Sequence, residues 1–166
     1  MRDRVKDFAK NGYDDKQERL AFRRMVRTDP ALRNFLIDYC SLDIKNAPYN
    51  EVNDPLGMYG VDLGVVDKND NIVCLVEVDV FFTWKDEWPH YYKWCHRLGR
   101  KEKYYADNDY PYINITFNAN HKNGILTTRE IESQYPIKEK WFKHKQMNEM
   151  VREIPISEAI KIGEWA

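Results

Sequence analysis

The sequence contains little that is typical of a membrane-spanning protein or of a disulfide-bonded secreted protein. No apolar run approaches the roughly 20 residues that cross a bilayer, and residues 1–4 do not begin the apolar stretch of a signal peptide. The cysteines are Cys40, Cys74 and Cys95, an odd number without a CxxC pair, which argues against a disulfide framework and a structural zinc site. We therefore expect a cytoplasmic protein with reduced thiols that does not insert into a membrane.

A strong charge of one sign and the common nucleotide-binding loops are missing as well. Lys and Arg number 26 against 27 Asp and Glu, so any contact with nucleic acid must use local patches. There is no glycine-rich phosphate loop, nucleophile elbow or dinucleotide-binding fingerprint. The four histidines, His90, His96, His121 and His144, lack the spacing of zinc ligands.

The composition does indicate one globular α/β domain of 166 residues that is rich in aromatic residues, at 14%. Apolar spacing over residues 14–39 predicts helices divided at Pro30, and the turn-rich residues 46–57 predict a loop. Alternation predicts two strands, 58–66 and 71–82, that form a β-hairpin. Further predicted elements are a basic, aromatic helix within 90–105 that starts near Leu98, strands at 112–117 and 125–131, and a last helix from Ser157 to Ile162.

Three carboxylates fall on one side of the predicted hairpin. Glu77 and Asp79 alternate with the apolar residues of the second strand, and Asp62 in the first strand lies between Gly60 and Gly64, which leave space around it. The opposite, core-facing set is Val61, Leu63, Val65, Cys74, Val76, Val78 and Val80. Converging carboxylates repel each other unless a cation intervenes, and oxygen ligands of this kind suit Mg²⁺, which can polarise a phosphodiester and generate a hydroxide. The alternative is a solvated sheet face whose acidic residues have no catalytic role.

The segment 89–105 supplies the opposite charge, with five basic residues against one acidic residue. On a helix, Lys101 would face the sheet, while the other basic side chains, Lys93, Arg97, Arg100 and Lys103, would be available to backbone phosphates. The alternative is a solvated amphipathic face over which Lys101 snorkels. Residues 138–152 form a second basic segment that could hold DNA or simply be a solvated face.

A family resemblance joins these motifs. The motifs in order are Tyr59-Gly60-Val61-Asp62-Leu63-Gly64-Val65, Val76-Glu77-Val78-Asp79, Trp84, Trp88-Pro89 and Arg100-Lys101-Glu102-Lys103-Tyr104. The series resembles the PD-(D/E)XK nuclease superfamily, and in particular a phage- and microbe-associated branch in which an acidic-x-acidic strand precedes a Trp and an Arg-Lys pair. The resemblance covers roughly residues 18–118.

The resemblance implies a restriction-endonuclease-like fold in a single domain, 1–166. Its parts would be a helical N-terminal region at 1–45, a catalytic core at 57–118 built on a mixed sheet flanked by helices, and a C-terminal extension at 119–166. It further implies a DNA endonuclease that acts on duplex or branched DNA with Mg²⁺, for which Mn²⁺ could substitute.

The resemblance also assigns roles to individual residues. Asp62 and Glu77 would be metal ligands, with the Val78 carbonyl as a third. Asp79 stands where most members carry the catalytic lysine, so Lys101 is the candidate for a displaced lysine. Glu18 matches a glutamate that an N-terminal helix often adds to such sites. Two other classes stay open, a nuclease-fold DNA-binding module that has lost catalysis and a protein-interaction domain that forms a homo-oligomer or binds a protein partner.

Overall fold

The computed structural model describes residues 15–41, 49–57 and 60–165, and the predicted helix start at Asp14 lies outside them. The α-helices are α1 (Asp15–Thr28), α2 (Pro30–Cys40) and α3 (Arg129–Ser133), and 3₁₀ helices cover Gly99–Tyr104 and Ile156–Glu158. The strands are β1 (Tyr49–Asn53), β2 (Leu63–Asp67), β3 (Ile72–Phe81), β4 (Trp94–Leu98), β5 (Tyr112–Asn118), β6 (Asn123–Thr128), β7 (Ile137–Phe142), β8 (Met147–Pro155) and β9 (Ile160–Gly163).

The break between α1 and α2 occurs at Pro30, as predicted. Asp29 is the N-cap of α2, and its carboxylate accepts hydrogen bonds from the amides of Ala31 at 3.3 Å and Leu32 at 3.1 Å. Proline suits the first helical turn because it has no amide hydrogen that needs a partner there. The local sequence therefore fixes the corner from which both helices pack on the sheet.

The chain is an α/β protein whose main sheet is mixed, as predicted. Its six strands follow the order β1-β2-β3-β5-β6-β9, with β3 and β5 parallel and the other pairs antiparallel. The predicted hairpin is present as β2 and β3. The loop predicted at 46–57 is wrong in part, because β1 pairs there with β2 along the edge of the sheet. The segment 119–166 contributes β6 and β9, so it completes the main sheet.

The helix predicted within 90–105 from near Leu98 is present only as a 3₁₀ helix, and the residues before it form a strand. The segment forms strand β4, which pairs with β8 in a second sheet of order β4-β8-β7, and a 3₁₀ helix that begins at Gly99. A Cβ on Gly99 would lie 2.8 Å from Ile137 Cγ2, so this turn packs tightly against β7. The predicted helix from Ser157 is wrong too, because only one 3₁₀ turn forms before β9 pairs with β6.

Both faces of the main sheet are covered. Helices α1 and α2 pack on one face over a core that includes Leu63, Val65 and Val76. Val61 was predicted to share that face but packs with Leu75, Tyr105 and Tyr112 on the other side, because it precedes the point at which β2 begins to pair. The three cysteines are free thiols. Within the described ranges, no helix is long and apolar enough to cross a membrane.

Candidate functional site

The site begins where β2 stops pairing with β3. The ladder ends at the Leu63–Val76 pair, and beyond it the Asp62 side chain takes the place of the missing strand. Asp62 Oδ2 accepts a hydrogen bond from the Val78 amide at 2.9 Å, while the Asp62 amide donates to Glu77 Oε1 at 3.1 Å. This exchange holds the Asp62 and Glu77 carboxylates beside each other at the end of the strand.

Lys101 lies against the same carboxylates. Its Nζ is 2.9 Å from both Asp79 oxygens and 3.3 Å from Glu77 Oε2, and its side chain is 12% exposed. The 3₁₀ helix that follows Gly99 carries Lys101 to this position, where a continuous α-helix had been predicted to do so. The structure thus brings Asp62, Glu77, Asp79 and Lys101 together, and we call these four residues the acidic cluster.

The charges in this cluster are strongly coupled. Burial raises the pKa of Glu77 to about 9, with Lys101 opposing the shift and Asp62 adding to it, so Glu77 is protonated at neutral pH in the folded protein. Burial would also raise the pKa of Asp79, but Lys101 and Arg97 outweigh it and hold that pKa below its usual range. Burial alone would lower the pKa of Lys101, yet the two carboxylates raise it above its ordinary value, so Lys101 stays charged.

These shifts predict a pH dependence of stability in the protein without bound metal. Glu77 carries a proton when folded and releases it on unfolding, where its pKa returns to 4.5. The native state therefore binds more protons, and the free energy of unfolding falls as pH rises, by up to about 1.4 kcal/mol per pH unit. We expect this slope between about pH 5.5 and 8, which lies between the pKa of 4.5 in the unfolded chain and that of about 9 in the folded protein.

Denaturant unfolding of the wild type and of Glu77→Gln over that range measures this slope. Glutamine mimics the protonated carboxyl and cannot ionise, so the variant should lose the part of the slope that Glu77 supplies. Glu132, whose pKa burial also raises, is present in both proteins and cancels in the comparison. Identical slopes would show that Glu77 is already ionised at neutral pH.

The predicted outward orientation of Arg97 is wrong. Arg97 is 3% exposed, and its guanidinium donates to Thr127 Oγ1 at 2.8 Å, to the Asn114 carbonyl at 3.1 Å and to Thr116 Oγ1. Its place in strand β4 causes this orientation, because alternation turns Cys95 and Arg97 inward together. The other three predicted phosphate-binding residues, Lys93, Arg100 and Lys103, are exposed.

Behind the acidic cluster lies a polar layer that sequence reasoning missed. Thr116 on β5 pairs with Asp79 on β3, and Thr127 on β6 donates to Glu132 Oε2 at 3.0 Å. Glu132 is 2% exposed at the start of the segment that leaves β6. A signal was present, because Asn114 and Thr116 alternate with the apolar residues of β5 and so share the face of Glu77 and Asp79.

Glu18, the fifth predicted catalytic residue, is 1% exposed on the side of α1 that packs against the sheet.

The donor chemistry of the cluster fits a Mg²⁺ ion that keeps part of its water. In the part of the chain that the structure describes, no three His, Cys, Asp or Glu side chains form a group that could hold a metal. Mg²⁺, however, commonly uses one or two carboxylates together with waters and substrate oxygens. The N–H and C=O of a strand residue point to the same edge, so the Val78 carbonyl faces the edge where its amide meets Asp62. The oxygen donors that could bind the ion are the neighbouring carboxylates of Asp62 and Glu77 and the Val78 carbonyl.

No protein-family model, curated protein or solved structure matches the chain. The chemistry of the cluster is therefore the guide to function.

Proposed function

We propose that this protein is a cytoplasmic, Mg²⁺-dependent endonuclease of the PD-(D/E)XK type that hydrolyses phosphodiester bonds in DNA. The observation that carries the proposal is the position of Lys101, which the sequence suggested as a displaced catalytic lysine. Its ammonium group is in hydrogen-bonding contact with Asp79 and lies 3.3 Å from Glu77, whose other carboxyl oxygen accepts a hydrogen bond from the Asp62 amide. These are the groups that the resemblance implies, gathered at one point of the sheet.

The order of the fold also supports the proposal. Helices precede an antiparallel meander of β1, β2 and β3, and β5 then adds in parallel to β3. The resemblance implies a helix, a hairpin-containing mixed sheet, a second helix and a further strand, and the chain shares this order except for the second helix. The difference is the connection from β3 to β5, which holds strand β4 and a 3₁₀ helix and so carries Lys101 on a short turn.

Each residue of the cluster has a distinct chemical part in this proposal. Asp62, Glu77 and the Val78 carbonyl would hold Mg²⁺, or Mn²⁺ in its place, and the ion would lower the pKa of a water and polarise the phosphate. Because the raised pKa of Lys101 keeps it cationic, it serves to stabilise negative charge on the phosphate oxygens and does not act as a base. Asp79 fixes the ammonium group in place through both of its oxygens.

Cleavage of supercoiled and branched DNA with Mg²⁺ tests this assignment. We expect the wild type to nick or cut these substrates, and Glu77→Ala and Asp62→Asn to be at least about tenfold slower because the first removes a carboxyl ligand of the ion and the second removes the charge of another. Asp70→Asn is the matched control, since it makes the same change to a carboxylate in the exposed turn between β2 and β3. Equal activity in all four proteins would remove the acidic cluster as the site.

A DNA-binding module without catalysis is the second candidate, and one observation favours it. Lys101 lies against both Glu77 and Asp79 and neutralises charge that a metal ion would otherwise neutralise. Such a module would bind DNA with a steep salt dependence but show no turnover.

Thermal unfolding with and without the ion separates the two candidates. A bound ion raises the melting temperature by mass action, and Glu77→Gln should abolish that shift in a metal-dependent enzyme. No shift with either Mg²⁺ or Mn²⁺, together with salt-dependent DNA binding, would favour the module.

A further inference from the structure

The hairpin formed by β7 and β8 extends beyond the body of the protein. At its base, Val151 and Ile154 are fully buried and Arg152 is 7% exposed. Towards its turn, none of the residues from 139 to 150 is buried on either face. We call these residues the hairpin end. One face of the ribbon is partly covered, because the Phe142 ring lies 5.6 Å from the ring of His96 on β4 and Lys140 Nζ lies 3.3 Å from His96 Nε2. The opposite face, which carries the exposed Trp141, is available to a partner.

The hairpin end is positively charged on a protein that has a net charge of only −1. Residues 139–150 contain three lysines against Glu139 and Glu149, a net charge of +1, and the stretch 140–148 between these two glutamates has three lysines, a histidine and no acidic residue. At the base of the end, Glu153 lies 2.6 Å from Lys138 and 3.1 Å from Lys140, so one carboxylate faces two ammonium groups. Lys145 lies 3.5 Å from Glu149 and 5.5 Å from the centre of the Phe142 ring, and the side chains of the ion pair are 25% and 17% exposed. A polyanion is the partner that this charge favours.

Large apolar side chains are exposed among these lysines. Trp141 is 55% exposed and Met150 is 51% exposed. They occupy diagonal positions on one face of the ribbon, because Trp141 pairs with Asn148 and Glu139 pairs with Met150. A tryptophan beside lysines can contact base edges and sugars while the lysines contact phosphates, whereas a solvated face would gain nothing from it.

The base of the hairpin is joined to the segment that carries Lys101. Arg152 on β8 lies 3.2 Å from Glu102 Oε1, the residue directly after Lys101, and donates to the Glu132 carbonyl at 3.0 Å. Gly99 approaches Ile137 so closely that a side chain there would clash. A ligand held by the hairpin is thereby connected to the acidic cluster through packed structure.

We propose that the hairpin end, residues 139–150, is an arm that binds duplex DNA by entering its major groove. The strands of a ribbon lie about 4.8 Å apart, and the major groove of B-DNA, about 12 Å wide, admits such a ribbon. Lys143 and Lys145 at the turn contact backbone phosphates, and Trp141 contacts the groove. The inference deepens the proposed function, since it names the surface that would hold the DNA substrate.

Fluorescence anisotropy with a labelled duplex of about 20 base pairs, in EDTA so that nothing is cleaved, tests the arm. The charge variant is Lys143→Ala with Lys145→Ala, and the control is Lys68→Ala with Lys161→Ala, which removes equal charge elsewhere. We expect the charge variant to bind at least tenfold more weakly and its slope of log K against log salt to fall by about two, as for two lost phosphate contacts. The control pair should stay within about twofold of the wild type and keep its slope.

Trp141→Ala separates groove contact from charge, because it should weaken binding while the salt slope stays that of the wild type. The proposed arm would be refuted if the charge variant had the same affinity and salt slope as the control pair. It would also be refuted if the wild type did not bind the duplex at low salt. The cleavage assay with Glu77→Ala runs in parallel. Cleavage that needs Glu77 but not the hairpin refutes the arm alone, and hairpin-dependent binding without cleavage supports the arm and refutes the nuclease.

Discussion

Replacement of Arg97 by methionine is expected to lower the free energy of unfolding by about 3–5 kcal/mol, the range for breaking a buried charged pair by removing one partner. The guanidinium is 3% exposed and donates to two threonine hydroxyls and a backbone carbonyl in the polar layer behind the acidic cluster. Methionine fills similar space but donates nothing, so the acceptors and the Glu132 carboxylate lose the cation that faces them. Urea unfolding monitored by tryptophan fluorescence measures the change.

Arg100→Met is the control, because Arg100 is exposed three residues further along the chain and its loss should change the free energy by no more than about 0.5 kcal/mol. Arg97→Lys should fall between the two, since an ammonium group keeps the charge but cannot reach three acceptors in the planar geometry of a guanidinium. A loss below about 1 kcal/mol for Arg97→Met would mean that the guanidinium is solvated and free to contact phosphate, as the sequence first suggested.

The elements that the sequence predicts well are those determined by neighbouring residues. Asp29 and Pro30 specify the break between α1 and α2, and strict alternation with a polar turn specifies the hairpin of β2 and β3. The same period of two places Glu77 and Asp79 on one face, since side chains on a strand alternate whatever the strand pairs with. Asp62 lies just beyond the paired part of β2 and is held at the site by accepting a hydrogen bond from the Val78 amide. The carboxylate half of the site was therefore predictable apart from this contact.

The cationic half was not, because it depends on pairing between distant segments. Residues 94–98 belong to the basic, aromatic segment in which a helix was predicted from near Leu98, and only their pairing with β8, more than fifty residues later, makes them a strand. That pairing turns Arg97 into the core and leaves Lys101 on a short turn. Lys101 still reaches the carboxylates, because the 3₁₀ helix that follows β4 places its ammonium group 2.9 Å from Asp79. Strand β1 was missed for a similar reason, because its turn-forming residues gain a strand only by pairing with β2.

Replacement of Lys101 by methionine is expected to slow DNA cleavage by about 10²–10³-fold, the range measured when one donor to a developing negative charge is removed. In the proposed mechanism Lys101 acts on the reacting phosphate and does not bind the parts of the DNA that lie outside the site. Its loss should therefore lower kcat, while the affinity for duplex DNA in EDTA stays close to that of the wild type. Lys68→Met is the matched control. It removes the same charge from an exposed position in the turn between β2 and β3 and should leave kcat within about threefold.

The Lys101 variant also distinguishes a catalytic cation from a structural one. Without the ammonium group, Asp79 loses its nearest cation but is 39% exposed at its side chain, so water can solvate it and the cost in stability should be small. Glu77 loses the charge that opposes its raised pKa, so it should hold its proton more tightly and bind Mg²⁺ more weakly at pH 7. Raising Mg²⁺ would restore activity if weak metal binding were the whole defect. A kcat that stays low at saturating Mg²⁺, with the unfolding free energy unchanged, assigns Lys101 to the chemical step, whereas full recovery would reduce it to a residue that tunes the metal site.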